Sequence, residues 1–218
     1  MHFCITGGSR GLGEALAAHI LLNNHAVTVV DKVKPSMHCA FIQHDFKERF
    51  KRRIYCDVLI LNHATFHGFK SFQSISPLQA QEYMQINVHS HLDLLKTCTY
   101  KKVVYINSVL SIAAFPNTSM YCACKSFMHA LLESFRREGC SVLAVYPYKI
   151  DTPLFQRVRS PYTLKRGYVA KRVYEAVLRG DTHLYLPWVF RYSYVYALLP
   201  TFLQDWVARI LYYWMVRK

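Results

Sequence analysis

The chain has 218 residues, enough for one α/β domain with a sizeable core and short for two. Hydrophobic residues make up 52% of it, which excludes a disordered chain. Its 27 Lys and Arg against 13 Asp and Glu leave a formal charge of +14, which favours partners carrying negative charge: anionic lipid, an acidic carrier or nucleic acid.

Short apolar runs alternate with helical periodicities, the pattern of a parallel sheet with helices on both faces. The expected fold is a doubly wound α/β domain over residues 1–187, followed by an aromatic and basic segment, 188–218. In chain order, strands are predicted at Phe3–Thr6, Ala26–Val30, Ala40–Gln43, Val58–Leu61, Val103–Asn107, Ser141–Val145 and His183–Leu186. Between the first two, Leu12, Ala15, Leu16, His19 and Ile20 form one apolar helical stripe. Only Lys32 to Met37 separate the second strand from the approach to the third, too few for a crossover helix. Lys47, Arg49, Lys51, Arg52 and Arg53 alternate with Phe46, Phe50 and Ile54 at every fourth position, which predicts an amphipathic helix with a solvated basic face. No nucleic-acid-binding motif accompanies that cluster, so nucleic acid is not an expected partner. Ser76-Pro77 predicts an N-cap and first helical position for a helix running toward Thr97. A further helix is predicted from about Tyr121 to Arg137, stopped by Gly139, and a last one from near Ser160-Pro161.

Cys4, Cys39, Cys56, Cys98, Cys122, Cys124 and Cys140 show no paired framework, and no second Cys/His cluster joins them. Reduced thiols in a cytoplasmic protein without a metal site are expected. The N-terminus enters a strand at once, so no cleavable leader is expected. No apolar run reaches the roughly 18 residues of a spanning helix. The eleven histidines show no ligand spacing.

Thr6-Gly7-Gly8-Ser9-Arg10-Gly11-Leu12-Gly13 lies between a strand and an amphipathic helix. Glycines there allow a tight turn and let the backbone approach a pyrophosphate at the positive end of the helix. A glycine-rich string alone is a weak signal. Here it is joined by Asp31, at the end of the next strand, near the distance at which a carboxylate meets ribose hydroxyls. Thr6, Gly7, Ser9, Arg10, Gly11, Leu12, Gly13 and Asp31 are therefore candidate cofactor contacts.

With that TGxxxGxG spacing the chain resembles the short-chain dehydrogenase/reductase family, from residue 3 to about 187. The resemblance implies that Asp45 lies near an adenine ring and that Asn62-His63-Ala64-Thr65 stands for the family's Asn-Asn-Ala-Gly. Asn62 and Ala64 keep that pattern; His63 and Thr65 depart from it, so a differently hydrogen-bonded wall is expected there. Asp31 opposes a 2′-phosphate, whereas Arg10, with Lys32 and Lys34 nearby, resembles members that take NADP. The carboxylate is the harder obstacle, and NAD is expected over NADP.

Tyr121 and Lys125, four apart on a helix, share one face. A phenol of pKa near ~10 is a poor base at neutral pH, and a neighbouring ammonium lowers that value. Ser108 ends a strand upstream and can donate to a substrate oxygen. By resemblance these three and Asn87 form the family's catalytic tetrad. Ser108 would polarise the carbonyl, Tyr121 act as general acid/base, Lys125 bind the nicotinamide ribose and tune the tyrosine, and Asn87 hold a relay water. Pro147, Ile150 and Thr152 match the family's segment beside the nicotinamide, with Tyr148 in place of its usual glycine.

From Trp188 to Lys218 aromatic residues mix with Arg191, Arg209, Arg217 and Lys218. That composition suits either an element on an anionic membrane surface or a tail packed on the domain or a sister subunit. The expected function is interconversion of an alcohol and a ketone or aldehyde on a hydrophobic substrate. The alternatives are a 3-oxoacyl reductase served by an acidic acyl carrier and a non-catalytic nucleotide sensor, against which the complete tetrad argues. A homodimer or homotetramer is implied by the resemblance alone.

Overall fold

A computed structural model describes residues 1–156, 158–160 and 162–216; Arg157, Pro161, Arg217 and Lys218 lie outside these. In chain order the elements are β1 (His2–Thr6), α1 (Gly11–Leu22), β2 (Ala26–Asp31), β3 (Ala40–Gln43), β4 (Ile54–Tyr55), β5 (Val58–Leu61), α2 (Pro77–Met84), α3 (Ser90–Thr97), β6 (Cys98–Thr99), β7 (Lys102–Ile106), α4 (Ser119–Arg137), β8 (Val142–Pro147), α5 (Arg166–Arg179), β9 (His183–Leu186), α6 (Ser193–Ala197) and α7 (Thr201–Val216). Seven strands form one parallel sheet in the order β3-β2-β1-β5-β7-β8-β9, while β4 and β6 make a separate two-stranded ladder. The order reverses between β1 and β5, and ligands of such sheets bind in the crevice beyond the strand ends at that switch.

The strands read as unbroken apolar runs because both faces of the sheet are covered. On one side Phe3, Ile5 and Val145 pack with Leu12, Leu16 and Ile20 of α1 and Val169 and Val173 of α5. On the other, Cys4, Leu59 and Tyr105 pack with Leu94 of α3 and Met128 and Leu132 of α4. The connection from Asp31 to Ala40 has no helix, as its length requires.

Ser76 caps α2 reciprocally: Gln79 N–H donates to Ser76 Oγ and Ser76 N–H to Gln79 Oε1, each at 3.2 Å, with Pro77 at the first helical position. Between α2 and α3 the run widens into a π-turn over Gln85–His89, with Ser90 N–H reaching back to the Gln85 carbonyl. Helix α4 ends where Gly139 takes φ +92°, a left-handed value.

Two expected helices are corrected. Phe46, Phe50 and Ile54 are buried, yet no helix joins them. Asp45 Oδ1 accepts Lys47 N–H at 3.0 Å, and the Asp93 carboxylate accepts Phe50 N–H at 3.1 Å and grips the Arg49 guanidinium at 2.6 to 3.0 Å. Those side-chain acceptors take over backbone and cation, and Ile54 then pairs with Cys98. The helix expected from Ser160-Pro161 begins only at Arg166. Upstream of it, Asp151 N–H donates to Leu164 O and Leu164 N–H to Lys149 O, both at 2.9 Å, which holds that stretch extended.

Candidate active site

The glycine loop leaves β1 and turns into α1. Gly7 and Gly11 have φ of +65° and +60°, and Gly7 N–H donates to Val30 O at 2.8 Å. Asp31, ending β2, receives Ser9 N–H at 3.0 Å and Lys32 N–H at 2.7 Å on its carboxylate, while Ser9 Oγ donates to Val33 O. The acidic residue thus braces the loop and stands at the cleft edge. No side chain caps the N-terminus of α1 at Arg10, so its opening N–H groups point into the loop without a side-chain acceptor.

The neighbouring strand end completes this floor. Asn62 Nδ2 donates to the carbonyls of Thr6 and Gly7, and Asn62 N–H to Thr6 Oγ1 at 3.0 Å. His63 is buried, with Nδ1 2.7 Å from Thr6 Oγ1 and Nε2 2.6 Å from Ser90 Oγ, its ring stacked on Phe46 at 3.5 Å. Burial first, then His91 and Lys125 nearby, hold its pKa well below the usual imidazole value. The two departures in Asn62-His63-Ala64-Thr65 are therefore absorbed by new bonds. Asn87, on the π-turn, receives Thr65 N–H at 2.7 Å and donates to Thr65 O at 3.0 Å. Both ends of its amide clamp this segment.

Strand β7 delivers Ser108, and α4 presents Tyr121 and Lys125 from its first two turns toward it. Lys125 is only 2% exposed; its Nζ donates to Ile106 O at 2.7 Å and lies 5.8 Å from the Tyr121 ring centroid. Burial lowers the Lys125 pKa to about 7. Tyr121 is shifted upward, mainly by burial, with the Ser108 side chain pulling the other way. Burial is the largest influence on both groups.

These elements surround a cleft of about 770 Å³. Gly7, Arg10, Gly11, Leu12, Asp31, Asp45, Asn62, Ala64, Ser108, Tyr121, Lys125, Pro147, Ile150 and Thr152 line it. Thr6, Ser9, Gly13 and Asn87 stand behind its wall as scaffold. Gly11 would meet Thr152 at 3.3 Å if it carried a Cβ, which brings the loop against the Pro147–Thr152 segment. Tyr148 needs no left-handed backbone; its ring stacks on Phe190 at 5.2 Å and its hydroxyl accepts from Ser160 Oγ at 3.0 Å.

Sequence reasoning missed the apolar end of the cleft. Phe66 and Phe155 flank the Tyr121 ring at 5.2 and 6.2 Å between centroids. Val207, Ala208 and Leu211 of α7 form a roof, one helical face that a periodicity reading of the tail could have found.

A family model described as short chain dehydrogenase matches residues 44–163, more than half of the chain. The chain belongs to the short-chain dehydrogenase/reductase family. A stretch of the chain is 38% identical over 96 residues to "Short-chain dehydrogenase/reductase 3" from Homo sapiens and from Bos taurus. That stretch covers 39% of this chain and 32% of those proteins, so the match spans about a third of their length. Among solved structures, a short chain dehydrogenase from Burkholderia cenocepacia in complex with NADP superposes with a TM-score of 0.76 at 18% identity, over 96% of each chain. One from Sphingobium yanoikuyae in complex with NADPH reaches 0.72 at 18% identity, over 96% of this chain and 92% of that one. 4-Hydroxyisoleucine dehydrogenase complexed with NADH reaches 0.66 at 16%, over 84% and 94%. At those identities the likeness is one of fold, and this family member's chemistry rests on its own residues.

Proposed function

We propose that this chain is a nicotinamide-dependent oxidoreductase interconverting an alcohol and a ketone or aldehyde on an apolar substrate. The observation that carries the reading is that Ser108, Tyr121 and Lys125 line the same cleft as the glycine loop and Asp31. The residues fit a dinucleotide. Left-handed Gly7 and Gly11 leave a cradle that a Cβ would crowd, and the uncapped start of α1 offers N–H groups and a positive dipole end to a pyrophosphate. When bound, the nicotinamide supplies or accepts a hydride.

The protein's own part is proton transfer and positioning. Ser108 donates to the substrate oxygen and Tyr121 gives that oxygen its proton, or takes it in the reverse direction. Burial keeps the phenol protonated, the form needed to reduce a carbonyl. Lys125, brought to about 7, exchanges a proton near neutrality and presents its Nζ beside the tyrosine. Asn87 is a positioning residue that sets the Thr65 segment. Phe66 and Phe155 keep water from the Tyr121 ring and favour an apolar substrate.

The Asp31 carboxylate, fixed by two backbone N–H groups at the cleft edge, suits a free 2′-hydroxyl and opposes a 2′-phosphate, so NAD is the proposed cofactor. The test is a panel of hydrophobic alcohols, ketones and aldehydes with each nicotinamide cofactor, followed by the absorbance of the reduced form. Turnover of at least one apolar pair is expected. Tight cofactor binding with no turnover across the panel would overturn the reading in favour of a nucleotide sensor.

A further inference from the structure

Helix α7 is apolar on both sides. Toward the domain, Val207, Ala208 and Leu211 line the cleft, and Tyr212 packs on Phe69 and Phe115 while its hydroxyl accepts from Asn117 Nδ2. On the opposite side Phe202, Trp206 and Ile210 follow one another at every fourth position and are 68%, 63% and 41% exposed. Leu198, just upstream, is 85% exposed. A helix at the surface of a globular domain ordinarily turns polar residues outward, and one apolar all round is covered by something.

We infer that the outward face of α7 rests on an anionic bilayer surface and that the cleft draws its apolar substrate from that bilayer past the α7 roof. The second half rests on the oxidoreductase reading above; the first does not. The occupant follows from charge and shape. The chain carries +14; Arg209 lies exposed beside Trp206 and Ile210, and Arg191 is exposed upstream, both available to lipid phosphates. A second copy on the same face would bring two such charges together. Trp206 suits the headgroup layer, with an apolar body and a polar N–H. With 16 residues, including Asp205 and Arg209, α7 is about 24 Å long and lies along the interface; among the described residues no helix is long and apolar enough to cross a membrane. The same helix is thus the cleft's roof and its contact with lipid.

The experiment is flotation of the full chain with vesicles of phosphatidylcholine alone or mixed equally with phosphatidylserine. Wild type is compared with the triple variant Phe202→Asp, Trp206→Asp, Ile210→Asp and with Arg191→Gln, Arg209→Gln. Wild type is expected to float with mixed vesicles, less so with neutral ones, and more weakly at high salt. The triple variant is expected to lose about tenfold or more in vesicle affinity with its melting transition retained, since the three side chains face outward. The arginine variant should lose only the preference for phosphatidylserine. In turnover, the triple variant should lose kcat/KM for a long-chain alcohol dissolved in vesicles and keep it for a short, water-miscible one. Wild type left unbound by both vesicles, or a triple variant that floats like wild type, overturns the inference. So does a triple variant whose only change, by sedimentation velocity, is dissociation of an oligomer. Absence of turnover with any alcohol would sink the oxidoreductase reading instead and leave the flotation result to decide the membrane contact.

Discussion

A Cβ placed on Gly13 would stand 2.0 Å from the carbonyl oxygen of Gly7. The first turn of α1 and the loop that enters it are therefore in backbone contact, and Asn62 Nδ2 would lie 2.6 Å from the same added atom. Neither neighbour is the free end of a flexible side chain, since Asn62 is tied to the Thr6 and Gly7 carbonyls at 3.1 and 3.0 Å. Gly13→Ala is expected to lower Tm by several degrees, in line with the roughly 1–3 kcal/mol cost of overpacking, and to weaken cofactor binding more than about tenfold. Gly167→Ala is the control, because nothing stands within 4 Å and the site is inside α5. Equal melting curves for the two variants would show that the loop yields freely.

Tyr121→Phe removes one hydroxyl and leaves a ring that still packs between Phe66 and Phe155. Turnover should fall by about a hundredfold or more, the usual contribution of a positioned acid or base, while cofactor affinity stays within about twofold. Steady-state kinetics and a cofactor titration check both parts. A variant that keeps more than a few per cent of kcat would remove Tyr121 from the role proposed for it.

Asp31→Ser takes away the charge at the ribose end and leaves Arg10 and Lys32 on the cleft wall. Preference should move toward NADP by about one to two orders of magnitude in kcat/KM. Some stability is lost as well, because Ser9 N–H loses the carboxylate that accepts it at 3.0 Å. A wild type that already prefers NADP strongly would show that Arg10 and Lys32, rather than Asp31, govern the site.

Much of this was legible in the residues, for reasons that also mark where legibility stops. Strands β5 and β8 are buried on both faces, so Val58–Leu61 and Val142–Pro147 stand out as continuous apolar runs. The Ser76 capping box fixes the start of α2 from three local residues. The spacing of Phe46, Phe50 and Ile54 suits a helix equally well as three extended anchors, and what decides it is Asp93, distant in sequence. Nothing in the hydrophobic period announces the π-turn that carries Asn87, because the turn is one residue wider than the helix around it. The roof was legible only in part, as a face at helical spacing. Apolar residues on both sides of α7 read alike as packing or as lipid contact, and only the docked helix shows that Val207, Ala208 and Leu211 line the cleft.

The buried Lys125 ammonium makes stability depend on pH in a direction that can be worked out. Its pKa is about 7 in the folded chain against 10.5 for the ordinary side chain, because burial penalises the charge and one carbonyl, Ile106 O, is its hydrogen-bond partner. Below about pH 7 both folded and unfolded chains carry the proton, and the full penalty of burying the charge is present. Between about 7 and 10.5 the unfolded chain binds more protons than the folded one, so stability rises with pH and the penalty fades. Other groups titrate around this window: His63 and His91, held neutral by burial, add stability as pH rises through the ordinary imidazole range, and Tyr121, shifted upward, removes it at the alkaline end. Lys125→Met keeps those groups and deletes the ammonium, so the difference between the two curves isolates it. Wild type is expected to gain several degrees in Tm between about pH 7 and pH 9 relative to Lys125→Met, whatever constant offset the lost bond to Ile106 introduces. Thermal melts of both proteins without cofactor across that range are the measurement. Parallel curves would mean that the Lys125 ammonium stays charged throughout and that the proton exchange proposed for it near neutrality does not occur.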